Sequence, residues 1–333
     1  MNITITRDDV AVVAKSYFER VVDFYRACIF PIFILIGILG NCFSLYIFPR
    51  MRRRDQSTAV YLSCLAASDL LNLLSNGLPE TWMFQALKDF SEMAVYVNIL
   101  GNDVIACKVF RYIWYISMFT SSWILSLFNV EKCIAIRLPL KRSLIITSSR
   151  RKTALLIVVV VALAIQASFV PAYELVQNYP TGPFNCGLNF TYFTARVTVI
   201  MILLGWLTTF LIPWFTICAC CILITCSILE SRRLKLKTTD KPKNLRFILN
   251  LTLVSGVFLV CIAPGIALWG MFWITNFLNS ELGYSIGFDF DVLKIALYCT
   301  NLQDLNFCLN FIIYVLFLDY YRAELKKIFH SAC

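Results

Sequence analysis

Apolar residues are grouped along this chain in seven long runs. A transmembrane helix needs roughly 20 apolar residues to cross a hydrocarbon core of about 30 Å. The seven runs cover residues 27–48, 59–84, 112–130, 153–173, 197–229, 247–280 and 295–318, and the charged residues inside them are Asp69, Glu80 and Asp304. This pattern predicts an all-α integral membrane protein, with a seven-transmembrane helix bundle over residues 27–318. Residues 1–26 precede the bundle and residues 319–333 follow it.

Basic residues gather at alternate ends of the predicted spans. Twenty-one of the thirty Lys and Arg residues, Lys132 among them, follow the first, third, fifth and seventh runs. The positive-inside rule places these segments in the cytoplasm. We therefore expect a multi-pass plasma membrane protein whose N-terminus, residues 1–26, is extracellular. Two glycosylation sequons, at Asn2 and Asn189, fall on the predicted outer side.

Composition narrows the function classes. The chain is 59% hydrophobic and 15% charged, with a net charge of +10. The topology and attraction to anionic inner-leaflet lipid account for this charge, so membrane lipid is an expected partner and nucleic acid is not. The single histidine, His330, lies in the tail, and no nucleophile–base or metal-ligand spacing suggests an enzyme. A transporter or channel is disfavoured because neither an inverted repeat nor a chain of ionisable residues is visible.

Five polar residues lie inside predicted spans, where lipid offers no hydrogen-bond partners. They are Asn41, Asp69, Ser121, Asn306 and Asn310. One interpretation is a hydrogen-bonded network that holds the helices together. The other is that Asp69, Ser121, Asn306 and Asn310 cage a hydrated sodium ion, since carboxylate and neutral oxygens suit a hard cation. No other cofactor is expected.

Asp304 lies six residues before Asn310, roughly 9 Å nearer the outer side at 1.5 Å per helical residue. That depth suits the floor of an outward-facing cavity. Asp304 is then either a buried carboxyl bonded to a neighbour or a counter-charge for a cationic group on a ligand.

The order and spacing of several short motifs resemble those of rhodopsin-like (class A) G-protein-coupled receptors over about residues 27–330. Cys107 precedes the triplet Glu131-Lys132-Cys133 by 24 residues, or about 36 Å of helix. The other matching features are Gly40-Asn41, the segment Leu65-Ala66-Ala67-Ser68-Asp69-Leu70, Pro213, Pro264, and Asn310 with Tyr314.

The resemblance implies roles for these residues. Cys107 and Cys186 lie in polar segments on the predicted outer side and are expected to form a disulfide that pins a small hairpin. Pro213 and Pro264 are expected to kink their helices, and residues after 318 to form a short amphipathic eighth helix. A heterotrimeric G protein is the expected partner at the inner face, with coupling and activation residues Glu131, Lys132, Cys133 and Tyr314.

Three departures bear on signalling. Lys132 replaces the arginine of the family's triplet and lacks its planar fork. Phe311 stands in place of the proline of Asn-Pro-x-x-Tyr, and Ile262 in place of a tryptophan in the sixth span. A non-signalling seven-helix binding or partner protein is therefore kept as an alternative.

The sequence gives less information about the ligand than about the fold. Trp114 occupies the position where amine receptors have an aspartate, and Ser121-Ser122-Trp123 is similar to a segment of invertebrate neuropeptide receptors. An acidic outer surface would attract basic peptides. A neuropeptide is the favoured extracellular ligand, and a small chemosensory molecule is the alternative. Candidate ligand-binding residues are Glu80, Trp114, Tyr115, Met118, Trp269, Thr300 and Asp304, although many aromatic residues would equally serve as interfacial or packing residues.

Overall fold

A computed structural model describes residues 24–51, 56–77, 103–177, 184–188, 195–235, 244–282 and 290–332. The helices are α1 (Phe30–Ile47), α2 (Gln56–Asn72), α3 (Val104–Arg137), α4 (Ser148–Ala167), α5 (Ala195–Trp206), α6 (Ile212–Lys235), α7 (Asn244–Leu282), α8 (Phe290–Phe317) and α9 (Asp319–Ala332). Strands β1 (Tyr173–Gln177) and β2 (Phe184–Leu188) form a hairpin between α4 and α5. The π-helical segment Leu207–Leu211 joins α5 to α6, which together make the fifth span.

Within the described residues, six spans are long and apolar enough to cross a membrane by themselves. The apolar helix Leu302–Phe317 provides the seventh span; it passes the same test only together with Asp319–His330, from which it is bent by 94°. This confirms the seven-helix bundle followed by an eighth helix. The third span is longer than its apolar run, because α3 continues for 34 residues through polar and charged positions at both ends.

Helix α3 lies at the centre of the bundle, where it contacts α2, α4 and α6. Helix α1 packs against α2 and α8, and α7 packs against α5 and α8, so the helices surround α3 in a ring. Large apolar side chains on the outside of α1, including Ile32, Leu35 and Leu39, are exposed. Such residues suit contact with lipid, which explains why an apolar surface persists in the folded chain.

Two glycines allow α1 to approach α8 closely. A Cβ on Gly37 would lie 2.8 Å from the Sγ of Cys308, and one on Gly40 would overlap the Cβ and ring of Phe311. Small residues of this kind let helix backbones approach within membranes. Phe311, which replaces the family's proline, therefore packs into space that Gly40 leaves open.

The two ends of the bundle are distinct. At one end, which we call the hairpin end, β1 and β2 pair antiparallel with Leu175 opposite Cys186, and Cys186 is bonded to Cys107 at the start of α3. At the other, the α9 end, Tyr321 packs against Phe48 and its hydroxyl lies 2.9 Å from that of Ser44. The predicted hairpin and disulfide are confirmed.

Pro213 explains an irregularity in the fifth span. Proline has no N–H, so it cannot donate to the carbonyl of Thr209, four residues earlier, in an α-helical bond, nor to that of Thr208, five residues earlier, in a π-helical bond. In the structure the carbonyl of Thr209 accepts a hydrogen bond from Ser122 Oγ of α3 at 2.8 Å. The neighbouring carbonyl of Thr208 accepts from Trp123 Nε1 at 2.9 Å. The π-helical segment thus gives its carbonyls to α3. Pro264 lies within α7, which continues through it without a break, so the predicted kink there stays a prediction.

Candidate functional site

A cavity of about 450 Å³ lies at the hairpin end between α3, α4, α5, α7 and α8. Five of the seven candidate ligand-binding residues line it: Trp114, Tyr115, Met118, Trp269 and Thr300. Its other walls are largely aromatic or small, and they include Phe169, Trp206, Phe210, Trp273, Gly205 and Gly265. A concave site of this size, with an apolar lining and a few polar groups, is typical of small-ligand pockets.

Asp304 lies elsewhere than expected. It is 2% exposed and is absent from the cavity lining, where its neighbour Gln303 is found instead. One helical residue corresponds to a rotation of about 100°, so Gln303 faces the cavity while Asp304 accepts a hydrogen bond from Asn76 Nδ2 at 3.4 Å. The expectation that Asp304 forms the cavity floor is corrected by this placement. Glu80, the seventh candidate, lies outside the described residues.

The cavity wall carries a positive charge that the sequence did not single out. Arg111 of α3 lines the cavity, and its Nη1 donates to Asn76 Oδ1 at 3.3 Å. Its guanidinium carbon also lies 5.0 Å from the ring centroid of Trp114. Asn76 therefore bridges Arg111 and Asp304. Arg111 stands one residue before the third apolar run and three residues before Trp114. This spacing of about one helical turn could have indicated that Arg111 lies on the same face of the helix as Trp114.

The hairpin closes one side of the cavity. Cys186 and Gly187 of β2 and Tyr173 of β1 are among the lining residues. The hydroxyls of Tyr173 and Tyr115 lie 2.6 Å apart, which ties the hairpin to α3. Burial raises the pKa of Tyr173 well above its ordinary value, so this hydroxyl stays neutral at physiological pH.

A polar network occupies the middle of the bundle. Asp69 of α2 is fully buried, and each of its oxygens accepts one hydrogen bond, from Ser121 Oγ and from Asn310 Nδ2, both at 2.7 Å. This brings together three of the five predicted network residues. Asn41 instead donates to the backbone carbonyls of Gly37 and Phe307, at 2.9 and 3.0 Å.

Amide oxygens remain without donors in this layer. Among the described residues, Asn41 Oδ1, Asn306 Oδ1 and Asn310 Oδ1 are buried and have no hydrogen-bond partner. Buried polar atoms normally have partners, so such oxygens suit a cation or water. The donor set of one carboxylate and several neutral oxygens thus fits the predicted sodium ion. Within the described chain no His, Cys, Asp and Glu cluster fits a metal.

The predicted coupling triplet lies at the α9 end, about 30 Å of helix from Arg111. Glu131 accepts from Arg151 of α4 through Nε at 3.0 Å and Nη2 at 3.2 Å, and also from Ser57 Oγ. Lys132 Nζ donates to Thr58 Oγ1 at 2.6 Å. Arg151 was counted only among the basic flanks of the sequence, because its contact with Glu131 depends on how α4 docks.

Two further predicted residues lie in the same half of the bundle. Tyr314 is buried, with its ring edge-on to Phe48 at 5.1 Å between centroids. Cys133 is half-buried and lies near Cys220 of α6. The structure therefore places the triplet and Tyr314 on different helices of one end. The glycosylation candidates Asn2 and Asn189 fall outside the described residues and stay predictions.

This fold and site define a class of protein: a seven-helix membrane receptor bundle with a ligand-sized cavity beneath a disulfide-linked hairpin. The comparison with protein families agrees. Residues 40–314 match the family described as 7 transmembrane receptor (rhodopsin family). The chain belongs to this family, whose members are receptors and not enzymes.

Proposed function

We propose that this chain is a plasma membrane receptor that transduces binding of an extracellular ligand to a heterotrimeric G protein. The hairpin end faces the outside in this proposal, and the α9 end faces the cytoplasm, as the basic flanks favour. The observation that carries the proposal is that α3 lines the cavity at one end and carries Glu131 and Lys132 at the other. A ligand that binds differently to two arrangements of α3 would shift their populations.

A neuropeptide is the ligand that we favour. The cavity would receive one end of the peptide, and the hairpin and outer segments would contact the rest. Among the acidic outer residues that favour basic peptides, Asp103 has a side chain that the structure describes, and this side chain is exposed and caps α3. The cavity volume also suits a small chemosensory molecule, which is the second candidate.

The polar layer around Asp69 is the proposed site of an allosteric sodium ion. Asp69, Ser121, Asn306 and Asn310 would hold it, and the unpartnered amide oxygens of Asn306 and Asn310 support this choice. When bound, the ion would neutralise the buried carboxylate charge. Asp69 itself links α2, α3 and α8 through its hydrogen bonds. The site therefore couples the three helices that join the two ends of the bundle.

The test is a G-protein activation assay on surface-expressed chain. An antibody to a tagged N-terminus in intact cells first checks the orientation. Wild type and Lys132→Arg are challenged with libraries of peptides, amines and carboxylic acids. Lys141→Arg, which makes the same change at an exposed position near the α9 end, serves as the matched control.

Each outcome separates the alternatives. A saturable response in wild type and Lys141→Arg supports the signalling receptor. A response only in Lys132→Arg identifies a binding protein whose coupling is lost with the arginine fork. If wild type and both variants give no G-protein activation at normal surface expression, the result contradicts signalling and favours the non-signalling partner protein.

A further inference from the structure

The side chains that line the cavity at the hairpin end carry more unpartnered buried donors than unpartnered buried acceptors. Arg111 uses Nη1 on Asn76, while its Nε is buried and has no acceptor among the described residues. The same holds for Nε1 of Trp114, Nε1 of Trp206 and Nε2 of Gln166, all on residues that line the cavity. The corresponding unpartnered acceptor on the described lining residues is Gln166 Oε1.

Unpartnered buried donors are costly. These donor atoms have almost no accessible surface, so an acceptor on a ligand would remove that cost only where the side chain shifts toward the cavity. The guanidinium adds a preference for negative charge, because among the described lining residues Arg111 is the charged one. Its fork geometry matches the two oxygens of a carboxylate, and the free Nε is one arm of that fork. Asp304 does not satisfy this arm, since its contact with the arginine passes through the amide of Asn76.

The remaining lining is apolar and aromatic. Trp114 and Tyr115 lie on α3, Phe169 stacks on Tyr115 at 5.9 Å between centroids, and Trp269 and Trp273 stack at 6.2 Å. Aromatic walls favour an aromatic or bulky apolar group on the ligand. A cationic ligand would instead meet the charge of Arg111, which opposes it.

We propose that the ligand places a carboxylate on Arg111, with an aromatic or apolar group against the surrounding rings. This inference rests on the proposed receptor function and names the chemistry of its ligand. The carboxylate has two sources: the free C-terminus of a peptide that ends in an aromatic or apolar residue, or a small aryl or alkyl carboxylic acid.

The experiment measures ligand-dependent thermal stabilisation of the purified full chain, a readout that needs no G protein. The probes are 3-(indol-3-yl)propionic acid and the peptide Gly-Gly-Trp, each compared with its primary amide. The variants are Arg111→Gln and Arg111→Lys. The matched control is Lys108→Gln, which removes the same charge from α3 one turn nearer the hairpin end, outside the cavity lining.

We expect at least one acid to bind wild type at least about tenfold more tightly than its amide. Arg111→Gln should reduce this ratio to nearly one, Arg111→Lys should retain part of it, and Lys108→Gln should retain all of it. Preference for the indole acid identifies a small acid as the source, and preference for the peptide identifies a C-terminus. Equal affinity of acids and amides, loss of the ratio in Lys108→Gln as well, or no binding of either acid would overturn the inference.

The two proposals fail separately. Acid binding that depends on Arg111, without G-protein activation, would retain the carboxylate site and reject the signalling function. Activation by an amidated or cationic ligand that Arg111→Gln leaves intact would retain the signalling function and reject the carboxylate site. Thermal midpoints without ligand check that each variant is folded, and Arg111→Lys provides the test should Arg111→Gln fail to fold.

Discussion

Arg151 at the start of α4 donates two parallel hydrogen bonds to the carboxylate of Glu131 on α3, from Nε at 3.0 Å and from Nη2 at 3.2 Å. The two side chains are 11% and 6% exposed. A paired, two-pronged contact of this kind is among the stronger ionic interactions in proteins. In this chain Lys132 cannot offer such a fork, and Arg151 supplies one from another helix. The acidic residue of the triplet is therefore fixed to α4 at the α9 end.

Breaking this pair is expected to destabilise the bundle. Glu131→Gln leaves the guanidinium of Arg151 without its anion in a largely buried position, which costs about 3 kcal/mol. Thermal unfolding of the purified chain measures the loss. Lys152→Gln, at the exposed neighbour of Arg151, is the control and should shift the midpoint little. Exchange of the two residues, Glu131→Arg with Arg151→Glu, should recover part of the loss. Equal shifts in Glu131→Gln and Lys152→Gln would contradict the prediction.

The bundle could be predicted because the membrane determines the length and the flanking charges of each span, and both can be counted in the sequence. Seven apolar runs, the basic flanks and the spacing from Cys107 to Glu131 each reflect membrane thickness or topology. The hairpin and its disulfide followed from two cysteines in polar segments. These features depend on position along the chain, and they need no knowledge of how one helix is rotated against another.

The site was predicted less completely, because it depends on those rotations. The structure places Trp114 and Trp269, two of the candidate ligand-binding residues, in the cavity lining, where it has Gln303 and not Asp304. Gln303 and Asp304 are adjacent polar residues of the seventh span, so the sequence alone does not fix which of the two faces the cavity. Arg111 and Gln166 were missed for a related reason. Arg111 stands one residue before the third apolar run and Gln166 is a single polar residue within the fourth, and only packing shows that both border one cavity.

Sodium is expected to stabilise the chain through Asp69. A ligand at tenfold its dissociation constant adds about 1.4 kcal/mol to the free energy of unfolding. The midpoint of thermal unfolding should therefore be higher in sodium chloride than in choline chloride at equal ionic strength. Asp69→Asn should abolish the difference between the salts. Asp319→Asn makes the same change at an exposed site and should preserve it. A difference that persists in Asp69→Asn would exclude this carboxylate as the ligand of the ion.

The contact between α1 and α8 makes a prediction about Gly40. A Cβ at this position overlaps the Cβ and ring of Phe311, atoms close to the backbone that cannot move aside easily. Gly40→Ala is expected to cost about 1–3 kcal/mol of stability through overpacking. The additional change Phe311→Gly removes both the Cβ and the ring that the new methyl group would meet. It should relieve the overlap, so the two effects should be strongly non-additive in a double-mutant cycle.

Gly256 of α7 is the matched control for Gly40. A Cβ there meets no atom within 4 Å in the described structure, and alanine is the better helix former by about 1 kcal/mol. Gly256→Ala should thus leave stability unchanged or raise it. If Gly40→Ala is as well tolerated as Gly256→Ala, the close approach of α1 and α8 is not the reason for glycine at residue 40.

The hydrogen bond from Ser122 to the carbonyl of Thr209 links α3 to the irregular part of the fifth span. Ser122→Ala should leave that carbonyl without a donor and cost about 1 kcal/mol in thermal unfolding of the purified chain. Pro213→Ala restores an amide four residues after Thr209, and this amide could then take the place of the serine. Ser122→Ala should accordingly be nearly neutral when Pro213→Ala is already present. Undiminished loss in that background would show that the serine stabilises the chain through another contact.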